Sequence, residues 1–202
     1  MSLAYAHANL RYNPFGTLDR DAWIACGVVD LQPIIEVLAT PRPVVQLLGD
    51  QGRGKTTHLL ALAARVQGAV YVRAFSDAPA TLPPCDVLLL DEADAWWPWR
   101  RVVAYRHARA VVIATHRDLS REITLSGRKP HVFLIRGLDE ERLQQALDRR
   151  IERARRDAGP VPRIPAASVR ALLSRHGDDL RAVERTLYER FQALTEARDV
   201  IV

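Results

Sequence analysis

The sequence is poor in cysteine, methionine and lysine. Its 202 residues contain two cysteines, one methionine and 29 basic side chains, of which only Lys55 and Lys129 are lysines. Cys26 and Cys85 make neither a disulfide framework nor a metal site by themselves, and they read as free thiols of a reducing cytoplasm. No stretch approaches the ~20 consecutive apolar residues of a membrane-spanning helix. The start of the chain, with Asn9, Arg11, Asn13 and Pro14, offers no apolar core of signal-peptide length. Internal repeats and low-complexity tracts are also missing. With 48% hydrophobic and 26% charged residues the composition is that of a globular protein, which excludes disordered and fibrous classes. The length suffices for one core and a small appended bundle, but not for a catalytic domain with a separate recognition domain of usual size.

Charge is unevenly spread. Residues 1–100 carry 8 basic and 10 acidic side chains, whereas residues 101–202 carry 21 and 14. A basic half points to a polyanionic partner. In a chain that otherwise prefers arginine, Lys55 stands out.

Short apolar runs predict five buried strands: Val44 to Leu48, Ala69 to Val72, Val87 to Leu90, Val111 to Ala114 and Val132 to Ile135. A helix is expected from about Lys55 to Val66. The stretch from Ala74 to Cys85, broken by Pro79, Pro83 and Pro84, reads as a loop. Continuous apolar strands of this kind belong to a parallel sheet covered on both faces. After Gly137 the pattern becomes helical only. Leu143, Leu147, Ile151 and Ala154 form one stripe. A linker with Pro160, Pro162 and Pro165 follows, then a short helix over 166–175. Asp178 or Asp179 caps a last helix with Leu180, Val183, Leu187, Phe191 and Leu194 on one face. The expected architecture is therefore α/β: a five-stranded parallel sheet with helices on both faces over 1–137, and a small helical lid over 138–202.

The segment Gly49-Asp50-Gln51-Gly52-Arg53-Gly54-Lys55-Thr56 fits the P-loop pattern G-x-x-x-x-G-K-[ST], between a predicted strand and a predicted helix. Glycines let backbone N–H groups turn toward a phosphate, and the helix start adds partial positive charge. Lys55 would reach the β- and γ-phosphates, Thr56 would hold Mg²⁺ through its hydroxyl, and Thr57 extends the cradle. Val87 to Leu90 ends in Asp91 and Glu92. Asp91 would hold Mg²⁺, and Glu92 would polarise an attacking water, a carboxylate that hydrolases need and small-molecule kinases do not.

These residues resemble the AAA+ ATPases, and the likeness runs over nearly the whole chain. Asn13-Pro14-Phe15-Gly16 is similar to the segment that leads toward the adenine pocket in many of them. The resemblance implies ATP and Mg²⁺ as ligands, bound between core and lid. It makes Thr115 the first sensor, Arg128 the arginine finger just before the fifth strand, with Arg117, Arg121 and Arg136 nearby, and Arg181 of Gly177-Asp178-Asp179-Leu180-Arg181 the second sensor. Within the family, Phe75-Ser76-Asp77-Ala78-Pro79 does not fit the pore loop of protein unfoldases. The chain also ends at Val202 without the helix-turn-helix that initiators usually add. The likeness is to the initiator, helicase-loader and transposition ATPases.

Trp96, Trp97 and Trp99, with Arg100 and Arg101, form either an exposed aromatic-basic surface or a segment packed over the sheet. His116 reads as a loop histidine by default, otherwise as a reporter of nucleotide state to Arg117. Arg149, Arg150, Arg153, Arg155 and Arg156 crowd one helix, by default a solvated face, otherwise a contact with a phosphate backbone. The expected function is an ATP-hydrolysing switch that forms a homo-oligomer and acts on DNA or on a DNA-bound partner protein, in the cytoplasm and away from membranes. The alternative is a nucleotide-binding adaptor in a signalling or defence complex, with little hydrolysis and no DNA binding.

Overall fold

The computed structural model describes residues 5–75, 81–137, 139–177 and 179–202. In chain order the elements are α1 (Arg20–Cys26), α2 (Gln32–Leu38), β1 (Pro43–Leu48), α3 (Lys55–Arg65), β2 (Ala69–Arg73), β3 (Val87–Asp91), α4 (Pro98–His107), β4 (Ala110–Thr115), α5 (Ser120–Leu125), β5 (Lys129–Leu134), α6 (Glu140–Ala154), α7 (Ala166–His176) and α8 (Leu180–Gln192). They fall into two compact units, Val29–Arg136 and a second made of the residues up to Val28 together with Gly137–Val202.

The first unit is a five-stranded sheet in the order β2-β3-β4-β1-β5, with every pairing parallel. β3 and β4 are buried along their whole length, while the edge strands β2 and β5 are partly exposed. This explains why the central strands read as unbroken apolar runs and the edges do not. Alternation of side chains divides the core into two layers. Val44, Leu88, Leu90, Val111 and Ile113 pack against Ala104 and Tyr105 of α4 and Ile123 of α5. Val45, Leu47, Val87, Leu89 and Val112 pack against Ile34 and Leu38 of α2 and Leu59 and Leu62 of α3. Because β1, β4 and β3 are neighbours running in one direction, the segments that leave their C-terminal ends emerge at one edge. Parallel sheets bind ligands there.

α4 and α5 are joined by ions as well as by apolar contacts. Arg101, 1% exposed, donates through two guanidinium nitrogens to the Glu122 carboxylate and through a third to the Trp96 carbonyl, and the Tyr105 hydroxyl donates to Glu122 at 2.9 Å. Burial pushes the Glu122 pKa up, but hydrogen bonds from Arg101 and Tyr105 outweigh it, and the net shift is downward.

The second unit differs from the expected lid in what it contains. Residues 5–28, expected with the sheet, lie with the helices instead. Leu10 and Phe15 are buried among Leu147 and Ile151 of α6, Leu172 of α7, and Leu187 and Phe191 of α8. Phe15 meets Phe191 edge to face at 4.9 Å. Backbone pairing closes the joint: the Arg11 N–H donates to the Ala154 carbonyl and the Arg156 N–H to that of Asn9. Arg150 completes it. Its guanidinium donates to the Pro14 and Gly16 carbonyls, each at 2.8 Å, and to Glu184. Arg150 is therefore a buried anchor for the Asn13–Gly16 segment and no part of a solvated basic face. Asp139 caps α6, and Asp179 caps α8 by accepting from the Arg181 and Ala182 N–H groups. The alternative cap Asp178, and Ser76 to Pro79 of the region compared with a pore loop, lie outside the described residues. No helix among the described residues is long and apolar enough to cross a membrane.

Candidate functional site

The turn from β1 into α3 is built around glycines. At Gly49 a Cβ would stand 2.4 Å from the Ile135 carbonyl oxygen, so no side chain fits. Gly54 precedes α3 with φ +90°, a left-handed conformation that favours glycine and lets the chain enter the helix from a tight loop. Lys55 is 8% exposed. Its Nζ folds back over the turn and donates to the carbonyls of Gly49 at 2.6 Å and Asp50 at 2.8 Å, with His116 Nδ1 at 3.4 Å. Burial lowers the Lys55 pKa, while the carboxylates of Asp91, Asp94, Asp50 and Glu92 oppose that shift. Thr56 and Thr57 follow in the first turn of α3, and Arg53 pairs with Asp50 at 3.5 Å.

The end of β3 supplies the facing carboxylates. Asp91 is 2% exposed. Its Oδ2 accepts from Thr56 Oγ1 at 2.9 Å and from the Tyr71 hydroxyl at 2.8 Å, and its Oδ1 accepts from the Glu92 N–H at 3.0 Å. Burial, then the Asp91 charge, pushes the Tyr71 pKa up, so that hydroxyl stays a donor at physiological pH. Glu92 has φ +54° and ψ +42°, a left-handed conformation that costs a residue with a side chain on the order of 1 kcal/mol. The strained turn carries its carboxylate away from Asp91 toward β2, where Arg73 donates to it at 2.9 Å.

The end of β4 corrects the expectation for Thr115. That residue is fully buried, and its hydroxyl accepts from Gln46 Nε2 at 2.6 Å. Gln46 also donates to the Arg117 carbonyl at 2.7 Å and accepts from the Leu119 N–H at 3.2 Å, so Gln46 and Thr115 together pin the segment after β4. Alternation places Thr115 on the layer of Val111 and Ile113, away from α3. The next residue, His116, is the one beside Lys55. Its backbone N–H donates to Asp94 Oδ2 at 2.6 Å, and Arg117 Nε donates to Asp94 Oδ1 at 3.1 Å. The place expected for Thr115 is thus held by His116, oriented by Asp94.

Arg128 is a second correction. It is 5% exposed. Its guanidinium donates to five backbone carbonyls: Arg42 at 2.8 Å, Pro43 at 3.2 Å, Ala108 at 3.3 Å, Arg109 at 2.8 Å, and Tyr105. Those carbonyls belong to the segments that enter β1 and β4, at the opposite end of the sheet from Lys55. A side chain so committed is no finger for a neighbouring protomer. Arg121, in the first turn of α5, and Arg117 are exposed. Arg181 is exposed in the first turn of α8 and belongs to the helical unit, whereas residues 49–57, 91 and 92 belong to the sheet unit.

Three participants carry signals that the P-loop and Asp91-Glu92 patterns do not include. Tyr71 and Arg73 sit at alternate positions of β2, and Asp94 comes two residues after Glu92. Polar side chains at the C-terminal end of an otherwise apolar sheet are that signal.

The donor chemistry fits a magnesium nucleotide. A hydroxyl and a carboxylate in contact, Thr56 and Asp91, are hard oxygen ligands of the kind Mg²⁺ takes, with only one or two protein groups needed beside phosphate oxygens and water. Lys55 and the start of α3 present positive charge to phosphate. Comparison with known families and curated proteins gave no match to this chain.

Proposed function

We propose that the sheet unit binds ATP with Mg²⁺ and hydrolyses it, and that the chain is an AAA+ type switch acting as an oligomer on DNA or a DNA-bound partner. The observation that carries the reading is the contact between Thr56 and Asp91 beside Lys55, at the end of a glycine turn that opens a helix. The Lys55 ammonium leaves the Gly49 and Asp50 carbonyls for phosphate oxygens. Thr56 and Asp91 hold the metal, which when bound neutralises charge on the phosphates. Glu92, once freed from Arg73, accepts a hydrogen bond from the attacking water and orients it. His116, held by Asp94, stands beside Lys55, where a change in phosphate charge reaches Arg117 through the shared carboxylate. An exposed arginine, Arg121 or Arg117, supplies positive charge to the site of a neighbouring protomer, where transition-state charge develops.

A second reading, a nucleotide-binding adaptor with little hydrolysis, draws support from one feature, the ion pair that draws Glu92 toward Arg73. Both readings require nucleotide binding. Titration with a fluorescent ATP analogue in Mg²⁺ tests that requirement. Lys55→Ala is expected to weaken binding about 10- to 100-fold, the loss of a charge-assisted contact. Unchanged affinity in the folded variant overturns both readings.

A further inference from the structure

α4 begins six residues after Glu92 and shows two different surfaces. Trp96, just before it, is 5% exposed, with the Arg100 guanidinium stacked over its ring at 4.1 Å. The next two tryptophans are in solvent: Trp97 is 73% exposed and Trp99 67% exposed. Val103, one helical turn beyond Trp99, is 55% exposed, and Arg106 is exposed one further turn along. Half of the chain's four tryptophans are therefore largely in solvent on one short stretch. Burial in the core does not explain them, and an exposed indole forgoes the largest apolar gain any side chain has.

The charge on the same helix is of one sign. From Pro98 to His107 there are three arginines and a histidine and no carboxylate. Arg101 is taken up by Glu122, Arg100 is half-buried over Trp96, and Arg106 is the exposed arginine of the helix. Arg121 of α5 lines a cleft of about 430 Å³ together with Val102, Leu125 and two carboxylate residues, Asp118 and Glu122, the latter paired with Arg101. Flat aromatic faces bordered by cations match a ligand with flat rings and regularly spaced negative charge. In a duplex the base faces are stacked on one another and closed to an indole; in a single strand they are open. An apolar protein partner would account for the indoles and Val103 but gives no reason for a helix free of acidic residues.

We propose that Trp97 and Trp99, bordered by Arg100 and Arg106, form a stacking platform for single-stranded nucleic acid. This rests on the nucleic-acid part of the function proposed above and sharpens it to an unpaired strand. The platform is also joined to the catalytic end of the sheet. The turn between Glu92 and Trp96 contains Asp94, which holds His116 and Arg117, so a strand that shifts the start of α4 shifts the residues around Lys55. No base is read by hydrogen bonds, and the affinity is independent of sequence and falls with salt.

The test uses the full chain and its own tryptophan fluorescence, titrated with oligo(dT), oligo(U) and a duplex of equal length, with and without Mg-ATP. Quenching by both single strands, more weakly by the duplex, is expected. Trp97→Ala/Trp99→Ala, read by anisotropy of a labelled oligo(dT), is expected to weaken binding by about tenfold or more, from stacking lost on two rings. Trp97→Phe/Trp99→Phe should recover most of it. Val103→Ser should leave it unchanged. Both tryptophans being exposed, the substitutions leave the core intact, and binding of the fluorescent ATP analogue serves as the control. Oligo(dT) affinity equal to wild type in the double alanine variant overturns the platform. So does absence of strand binding in a protein that still binds nucleotide. Loss of nucleotide binding in the wild-type protein instead strikes the ATPase reading and leaves the strand measurement to stand by itself.

Discussion

The two ends of the parallel sheet use the same side-chain types for opposite purposes. At the end where β1 and β4 begin, Arg128 is buried and its five donors meet backbone carbonyls that do not move. At the end where β1, β3 and β4 finish, ion pairs join side chain to side chain: Arg73 with Glu92 and Arg117 with Asp94, both with the arginine more than half exposed. The first arrangement makes a floor, because a carbonyl left without its donor in the interior costs the full desolvation of that group. The second makes something that can change partners, since an exposed ion pair is worth about 0–1 kcal/mol. In a chain with so many arginines, identity says little about role. Burial and the kind of acceptor distinguish scaffold from machinery.

The comparison breaks most sharply between Arg128 and Arg121. Arg128→Ala is expected to destabilise the protein by about 3–5 kcal/mol, because several buried carbonyls lose their donor together. Urea unfolding measures this. Arg121→Ala touches only exposed surface and should change stability by less than about 0.5 kcal/mol. If Arg121 is the arginine given to a neighbouring protomer, its removal lowers hydrolysis by about 10³-fold or more. Mixing it with Glu92→Gln should then restore part of the activity, because some interfaces pair an intact Glu92 with an intact Arg121. A stable Arg128→Ala that has lost only hydrolysis would reverse the two assignments.

Where the sequence was legible follows the same division. Val87 to Leu90 and Val111 to Ala114 are buried on both sides, so their apolar runs leave no other reading, and the glycine-lysine turn has a fixed spacing that names its own neighbours. β5 is an edge strand running Lys129–Leu134, with Lys129 and His131 among its residues. An alternating half-exposed strand has no continuous run, and the reading shifted it toward Ile135. α2, α4 and α5 are short and bury one to three residues each, too few to set a helical period. Sequence spacing also cannot tell Thr115 from His116. Thr115 is the last residue of β4 and His116 the first beyond it, and the turn that brings His116 to Lys55 is held by Asp94, 22 residues away. Residues 5–28 depart from expectation for a related reason: Leu10 and Phe15 announce burial, but not in which unit.

Between scaffold and machinery stands the junction of α4 and α5. Arg101 is buried as Arg128 is, yet its partner is a carboxylate that titrates. The folded Glu122 has its pKa below the ordinary glutamate value, so its stabilising contribution is fully present above the unfolded pKa of about 4.3 and is lost as pH falls through the folded value. Comparing wild type with Glu122→Gln removes the background of other carboxylates. The stability gap between the two, about 1–3 kcal/mol near neutrality for a hydrogen bond to charge, should narrow below about pH 4. A gap constant from pH 7 to pH 3 would mean that Glu122 acts through shape alone.

The smallest effect tests the machinery directly. The Arg73 side chain is 53% exposed and that of Glu92 32%, so their attraction is screened and worth no more than about 1 kcal/mol. A carboxylate held by a guanidinium is nonetheless a poorer acceptor for a water proton, and Glu92 is held by Arg73 of β2. Arg73→Ala should therefore leave stability nearly unchanged and raise basal hydrolysis by a few-fold, the most that ~1 kcal/mol allows. Arg73→Lys keeps an ion pair and should stay near wild type. The direction separates the two functional readings. In a switch, freeing Glu92 releases activity that the wild type holds back. In an adaptor, Glu92 has no water to orient, and hydrolysis stays at background in Arg73→Ala and in Glu92→Gln alike, while both still bind nucleotide.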